Sequence, residues 1–166
     1  MSDGAMEAAR ARRVGRRAAT DTPALMELWV AAWRATYADI DFDARLEWFK
    51  GRLAELEAEG ALTLCLYDDA PSALAGFVVI NPATGWLDQL CVHPKRFGAG
   101  TARALIEAAR QASPNGIRLD VNADNARARR FYEREGFCCV GAGAVSRSGR
   151  ATVVLEWRPN CPADGK

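Results

Sequence analysis

From Thr22 to about Tyr37 the apolar residues recur at helical spacing, with Leu25, Leu28, Trp29, Ala32, Trp33 and Tyr37 on one face. Thr22 and Pro23 make an N-cap and first-turn pair, so a helix is predicted to open there. A second helix is predicted from about Asp43 to Glu59, its apolar side formed by Leu46, Phe49, Leu53 and Leu56. Past Gly60 the period changes. Leu62–Tyr67 and Ala73–Ile80 read as strands on either side of the turn Asp68-Asp69-Ala70-Pro71-Ser72, and Trp86–Val92 follows the turn Asn81-Pro82-Ala83-Thr84-Gly85 as a third. The next helix runs to about Ala112, where Ser113-Pro114-Asn115-Gly116 stops it. Ile117–Val121 is then a buried strand, Asp124 or Asn125 caps a last helix, and Gly136 ends it. Two strands, about Phe137–Val145 and Ala151–Trp157, flank the turn Ser146–Arg150, and Val14–Ala18 supplies a short strand at the start. The order is β-α-α-β-β-β-α-β-α-β-β. It predicts an α/β fold with a mixed central sheet of about seven strands, antiparallel early and parallel around the glycine-rich loop, flanked by helices. Residues 1–12 read as a flexible leader, 13–158 as one domain and 159–166 as a tail.

At 166 residues a single domain with a real core is expected. Although 49% of the residues are apolar, no run approaches the ~20 needed to cross a bilayer. No secretory apolar region follows the start, and a cytoplasmic protein with no membrane partner is expected. The five cysteines are odd in number and form no C-x-x-C pair, so neither a disulfide framework nor a metal site is indicated. His93 is the only histidine, which removes most metal and triad chemistries. A net charge of +1 argues against a nucleic-acid partner. The local cluster Arg10, Arg12, Arg13, Arg16 and Arg17 reads as a solvated segment running into an edge strand, with an acidic partner as the alternative.

The segment VHPKRFGAGTARALIEAAR, Val92 to Arg110, joins a strand end to a basic glycine loop and a helix. Gly98 and Gly100 leave the loop backbone bare, so its N–H groups can converge on an anion at the helix's first turn, where the helix dipole also favours negative charge. A phosphate-bearing cofactor is the expected partner. A Walker A loop is excluded because Gly100 is followed by Thr101 with no lysine, and a dinucleotide fingerprint fails at Arg103.

A second segment, IRLDVNADNARARRFYEREGF from Ile117 to Phe137, is a strand, a polar cap and an arginine-rich amphipathic helix. Together, in this order, the two segments resemble the GCN5-related N-acetyltransferase (GNAT) family, here a bacterial member. Its acetyl-CoA loop, Q/R-x-x-G-x-G/A after a V-x-P strand end, is matched by Val92-His93-Pro94 and Lys95-Arg96-Phe97-Gly98-Ala99-Gly100. Its N-x-x-A-x-x-x-Y and G-F signature is matched by Asn125, Ala128, Tyr132 and Gly136-Phe137. The segment Ala32–Tyr37 also looks like the first helix of many bacterial members, and the likeness covers about residues 13 to 158. Lys95 departs from the family's Gln or Arg, and is expected to pair with pyrophosphate as a point charge.

The resemblance implies transfer of acetyl from acetyl-CoA to an amine-bearing small molecule or peptide by direct attack in a ternary complex. The alternative is an acyl-CoA-binding sensor or subunit without turnover. Freeing an alkylamine of pKa ~10.4 at neutral pH costs roughly 4–5 kcal/mol, so a base or a pKa-depressing site is required. Tyr132 matches the family tyrosine beside the CoA sulfur and is the expected general acid. The base is left between Asp120 and Asp88, or water. Leu90, Cys91 and Val92 are expected to bind the pantetheine arm through backbone N–H groups, with Asn125 orienting it and the glycine loop through Thr101 holding the pyrophosphate. Cys91 and His93, two apart on one strand face, also raise an acyl-cysteine route. Trp33 and Tyr37 are candidate acceptor-site residues, and Arg147 and Arg150 in the final turn are candidates to meet an acidic acceptor. Oligomeric state is not readable, though homodimers are common in the family.

Overall fold

A computed structural model describes residues 12–68 and 73–160. The expected leader lies outside the described residues except for Arg12, as does the tail from residue 161. Strands β1 (Arg13–Arg16), β2 (Leu62–Tyr67), β3 (Leu74–Ile80) and β4 (Leu87–Val92) pair antiparallel in that order. Strands β5 (Ile117–Asn122), β6 (Cys138–Ala142) and β7 (Thr152–Trp157) form a second antiparallel sheet, ordered β5-β7-β6. Helices α1 (Thr22–Thr36) and α2 (Leu46–Ala58) precede β2, while α3 (Thr101–Ala112) and α4 (Ala126–Arg134) flank β5. The seven strands thus appear in the predicted order, and the parallel neighbours are β4 and β5. They meet at one bridge, Trp86 to Arg118, and then diverge, which divides the sheet in two.

β3 is buried along its whole length, and its alternation feeds two cores. Phe77 and Val79 face Leu25, Trp29, Phe49 and Leu53 of α1 and α2. Val78 and Ile80 face Leu105 and Ile106 of α3 and continue to Leu119, Tyr132 and Leu155. Truncating Phe77, fully buried, would cost about 3–5 kcal/mol by lost transfer energy and a cavity.

Strict alternation along β4 would put Asp88 on the face of Leu90 and Val92 unless a bulge reset the register, and a bulge does. Ile80 pairs with Leu87 and Val79 with Gln89, so Asp88 is the extra residue. Leu87, Leu90 and Val92 consequently belong to the α3-side core and Cys91 to the other. Released from the ladder, Asp88 turns toward α2, where Arg52 Nη2 meets it at 2.9 Å.

The arginine cluster at the start is largely consumed within the fold. Arg17 makes a bidentate pair with Glu57 at 2.6 and 2.5 Å, and Arg13 lies over the Tyr67 ring at 5.2 Å. Arg12 Nη1 donates to the Ala99 carbonyl at 2.8 Å, tying the start of β1 to the glycine loop.

Candidate active site

Where β4 and β5 diverge, each becomes an edge strand, and a cleft of about 360 Å³ opens between the end of β4, the first turn of α3 and α4. Gly100 is the N-cap of α3 at φ 77°, a left-handed conformation that a side chain would strain. The first ladder bond of the helix runs from Ala104 N–H to the Gly100 carbonyl at 3.1 Å. The N–H groups of Thr101, Ala102 and Arg103 therefore have no acceptor within the helix, and all three residues line the cleft. Arg96, Arg103, Arg127 and Arg134 make its lining basic, with Glu135 as a counter-charge. Asp68 braces the loop from below, pairing with Arg96 and lying 3.9 Å from Arg12. Across the cleft, the Arg127 guanidinium stacks 3.5 Å from the centre of the Phe97 ring.

The expected loop residues Arg96, Phe97, Gly98, Gly100 and Thr101 line this cleft, as do Leu90, Cys91, Val92, Asn125 and Ala128. Lys95 and Ala99 do not. Lys95 sits exposed on the short 3₁₀ turn Pro94–Arg96, its N–H bonded to His93 Nδ1 at 3.2 Å. Ala102, Arg103 and Arg127 were missed. The signal for the first two was present, since the N–H groups of a helix's first turn, which follows Gly100, have no acceptor within the helix.

Tyr132 is placed by the way α4 ends. The Phe137 N–H bonds to the Tyr132 carbonyl at 2.9 Å and the Gly136 N–H to Glu133 at 3.1 Å, with Gly136 at φ 87°. This is a Schellman motif, and the Phe137 ring packs against Tyr132 at 5.3 Å between centroids. Asn125 caps the other end, accepting the Ala128 N–H at 3.2 Å; of the two predicted caps, Asn125 is the one used. The Tyr132 side chain is buried, and its hydroxyl makes no hydrogen bond among the described residues. Burial pushes its phenol pKa up, helped by the proximity of Cys91 and Asp120, so the hydroxyl keeps its proton at neutral pH.

Cys91 is buried in the core under α1, while the His93 ring accepts the Lys95 N–H. Burial pushes the Cys91 thiol up, with the Trp33 indole as a smaller opposing influence, while His93 caps the neighbouring turn. A thiol held protonated is a poor nucleophile.

A second cleft, about 560 Å³, lies on the α1 and α2 side of the splay. Trp33, Leu90, Asn125, Ala128 and Tyr132 line both clefts, so the two meet at Tyr132. Asp88 and Asp120 line the second one. Asp88 lies close enough to Asp120 for its charge to act on it. Asp88 is held by Arg52 at 2.9 Å and by the Gln89 amide at 3.3 Å. Asp120 has no ion pair among the described residues. Its side chain is reachable from the cleft, yet the surrounding protein desolvates it; this, followed by repulsion from Asp88, raises its pKa.

Trp33 and Tyr37 both line this second cleft, and they stack on one another at 6.2 Å. The Tyr37 hydroxyl donates to Asp124 at 2.7 Å and accepts from the Asn122 amide at 3.0 Å, while Arg150 pairs with Asp124 at 2.5 Å and lies over the Tyr37 ring at 4.1 Å. Desolvation, then the bond to Asp124, raises the Tyr37 pKa. Asp124 was not foreseen in the site, and Arg150 is occupied by it. Arg147 is not so occupied; it lies over the Trp48 ring at 4.4 Å. Among the described residues, no group of three or more His, Cys, Asp or Glu is placed to hold a metal, and no helix is long and apolar enough to cross a membrane.

Comparison with known proteins matches this architecture to one family. Mycothiol acetyltransferase of Kineococcus radiotolerans is 37% identical over 128 residues, which are 73% of this chain; the chain spans only 42% of that relative's length. The peptidyl-lysine N-acetyltransferase YjaB of Salmonella typhimurium is 28% identical over 135 residues, 78% of this chain and 88% of that protein. Among solved structures, the PaiA N-acetyltransferase of Thermoplasma acidophilum in complex with coenzyme A shares the fold. It superposes with a TM-score of 0.70 at 19% identity, covering 89% of this chain and 99% of that one. Residues 22–137, which run from the first turn of α1 through Phe137, match the acetyltransferase (GNAT) family model, and the chain belongs to that family.

Proposed function

We propose that the protein is an N-acetyltransferase that moves acetyl from acetyl-CoA to an amine in a ternary complex. The observation that carries this reading is the meeting of two clefts at Tyr132, one basic and lined by free backbone N–H groups, the other bearing an unpaired carboxylate. The first cleft fits the coenzyme: the N–H groups of Thr101, Ala102 and Arg103 point to pyrophosphate, and Arg96, Arg103 and Arg127 add charge. On this reading the family pattern Q/R-x-x-G-x-G/A is better laid on Phe97, Gly100 and Ala102 than on Lys95, Gly98 and Gly100, because Ala102 lines the cleft and Lys95 does not. The divergent edge of β4 at Leu90–Val92 offers backbone groups to the pantetheine arm.

Acetyl-CoA, when bound, supplies an acyl group activated as a thioester. Asp120 accepts a proton from the incoming ammonium. Its raised pKa makes it a stronger base than an ordinary carboxylate, and it lies on the acceptor side of Tyr132. Asp88, paired with Arg52, assists by keeping that pKa high. Tyr132, held protonated at neutral pH, gives its proton to the departing sulfur. The amine nitrogen gains the acetyl carbon, the C–S bond breaks, CoA leaves as the thiol, and the second proton shed by the nitrogen restores the Tyr132 phenol while the first leaves Asp120 to solvent.

The test is thiol release from acetyl-CoA across an amine and peptide panel, with acetylated products identified by mass spectrometry. Turnover that depends on an amine is expected. Tight binding of acetyl-CoA with no turnover by any amine would return the protein to the class of acyl-CoA-binding modules.

A further inference from the structure

The second cleft carries opposite charges on opposite walls. Beside Tyr132 lies Asp120, without an ion pair among the described residues. On the outer wall, Arg45 at the start of α2 and Arg147 in the turn between β6 and β7 have no carboxylate partner among the described residues. Arg45 donates to the Ser148 hydroxyl at 2.8 Å and lies 5.6 Å from the centre of the Phe42 ring. Arg147 lies over Trp48, an indole 37% exposed to solvent. The other cations near the cleft are spent: Arg52 on Asp88, with Glu55 adding to its field, and Arg150 on Asp124. Pairing thus leaves Asp120 free beside Tyr132, Glu55 of α2 without an ion pair among the described residues, and the guanidinium groups of Arg45 and Arg147 free, with Trp33 and Trp48 also lining the cleft.

We propose that the acceptor is an amine bearing a carboxylate at the far end of its skeleton, its nitrogen directed to Asp120 and its carboxylate to Arg45 and Arg147. Guanidinium forks suit this because they match carboxylate geometry and stay charged at every working pH. Neither arginine forms an ion pair with Asp88 or Asp120, so an amine and a carboxylate set apart on one skeleton can meet Asp120 and the arginines at once. The arginines bind and orient; they take no part in the proton transfers. This inference rests on the N-acetyltransferase reading above.

The experiment compares three amines on one skeleton: para-aminomethylbenzoate, its amide and para-xylylenediamine, with an ε-aminocaproate series as an aliphatic set. The carboxylate member of a series is expected to lead in kcat/KM by about tenfold, the scale of a charged hydrogen bond. The double substitution Arg45→Ala with Arg147→Ala should erase that preference while leaving KM for acetyl-CoA unchanged, and Arg147→Glu should turn it toward the diamine. Equal or better turnover of the amides or diamines by the unaltered protein would overturn the proposal, as would a preference that survives the double substitution. So would acetylation of other amines but of neither series. If no amine at all promotes thiol release, the transferase reading itself fails.

Discussion

The two clefts that meet at Tyr132 are built from different parts of the protein. The coenzyme side is mostly backbone: a helix N-terminus, a glycine in a left-handed conformation and the free edge of β4. Its cations form a diffuse basic lining. The acceptor side is almost wholly side chain, drawn from α1, α2, β4, β5 and the last hairpin, which lie far apart in sequence. A site made of main chain can keep one ligand while its neighbours change, because backbone groups do not mutate. A site made of side chains can be retuned residue by residue.

The largest expected effect falls where the two sides meet. Tyr132→Phe should lower kcat by about a hundredfold or more, the usual range for losing a general acid, while acetyl-CoA affinity changes little. A fall confined to KM would move Tyr132 from catalysis to binding. Next comes Asp120→Asn, expected to cut kcat/KM by tens of fold and to abolish the fall in activity at acid pH. The direction follows from the raised pKa: Asp120 serves as a base only above that value, so activity is lost as pH drops through it. Asp88→Asn, which removes the facing negative charge while Arg52 and Tyr132 remain, should shift that acid limb to lower pH. Stability gives an independent readout. A carboxyl group whose pKa is raised in the folded state contributes stability that is present below its ordinary pKa and lost as pH rises through the folded value. Asp120→Asn should therefore raise Tm at neutral pH while lowering activity, a trade-off confined to the acceptor side.

On the coenzyme side the effects are smaller and of another kind. Gly100→Ala places a side chain at φ 77°, at a cost of about 1–2 kcal/mol, and should raise KM for acetyl-CoA with a modest change in kcat. Cys91→Ala should leave kcat within about twofold, since a buried, protonated thiol makes no acyl-enzyme; loss of turnover with retained fold would reopen that route. Smallest of all, and on the acceptor side, Tyr37→Phe removes the bond to Asp124 and should cost about 1 kcal/mol in stability, read by denaturant unfolding.

The same contrast explains what could be read from the chain. The strand at Leu62–Tyr67, the Asn125 cap and the Gly136 stop obey local rules, so sequence alone located them. Tyr132 was singled out by its match to the family pattern, and its position was legible because the Asn125 cap and the Gly136 stop that bound its helix are local in sequence. The bulge at Asp88 was not, because an extra residue in a strand leaves no mark in a short apolar run. Nor was the junction of Tyr37, Asp124 and Arg150, whose members are brought together only by the packing of α1, the loop before α4 and the last hairpin. Lys95 does not line the cleft, although Arg96, Phe97 and Gly98 after it do, because the short turn Pro94–Arg96 leaves its side chain exposed.

The Schellman motif at Tyr132, Gly136 and Phe137 works as a ruler fixed at one end. The tyrosine's bearing is counted backward from the point where the chain leaves the helix, and each residue of an α-helix turns about 100°. One amino acid inserted or deleted between Tyr132 and Gly136 would swing the phenol out of the junction between the clefts, even if every side chain were kept. Most loops of this fold can absorb length changes, but this four-residue interval cannot. Evolution can rewrite the letters there but not their number.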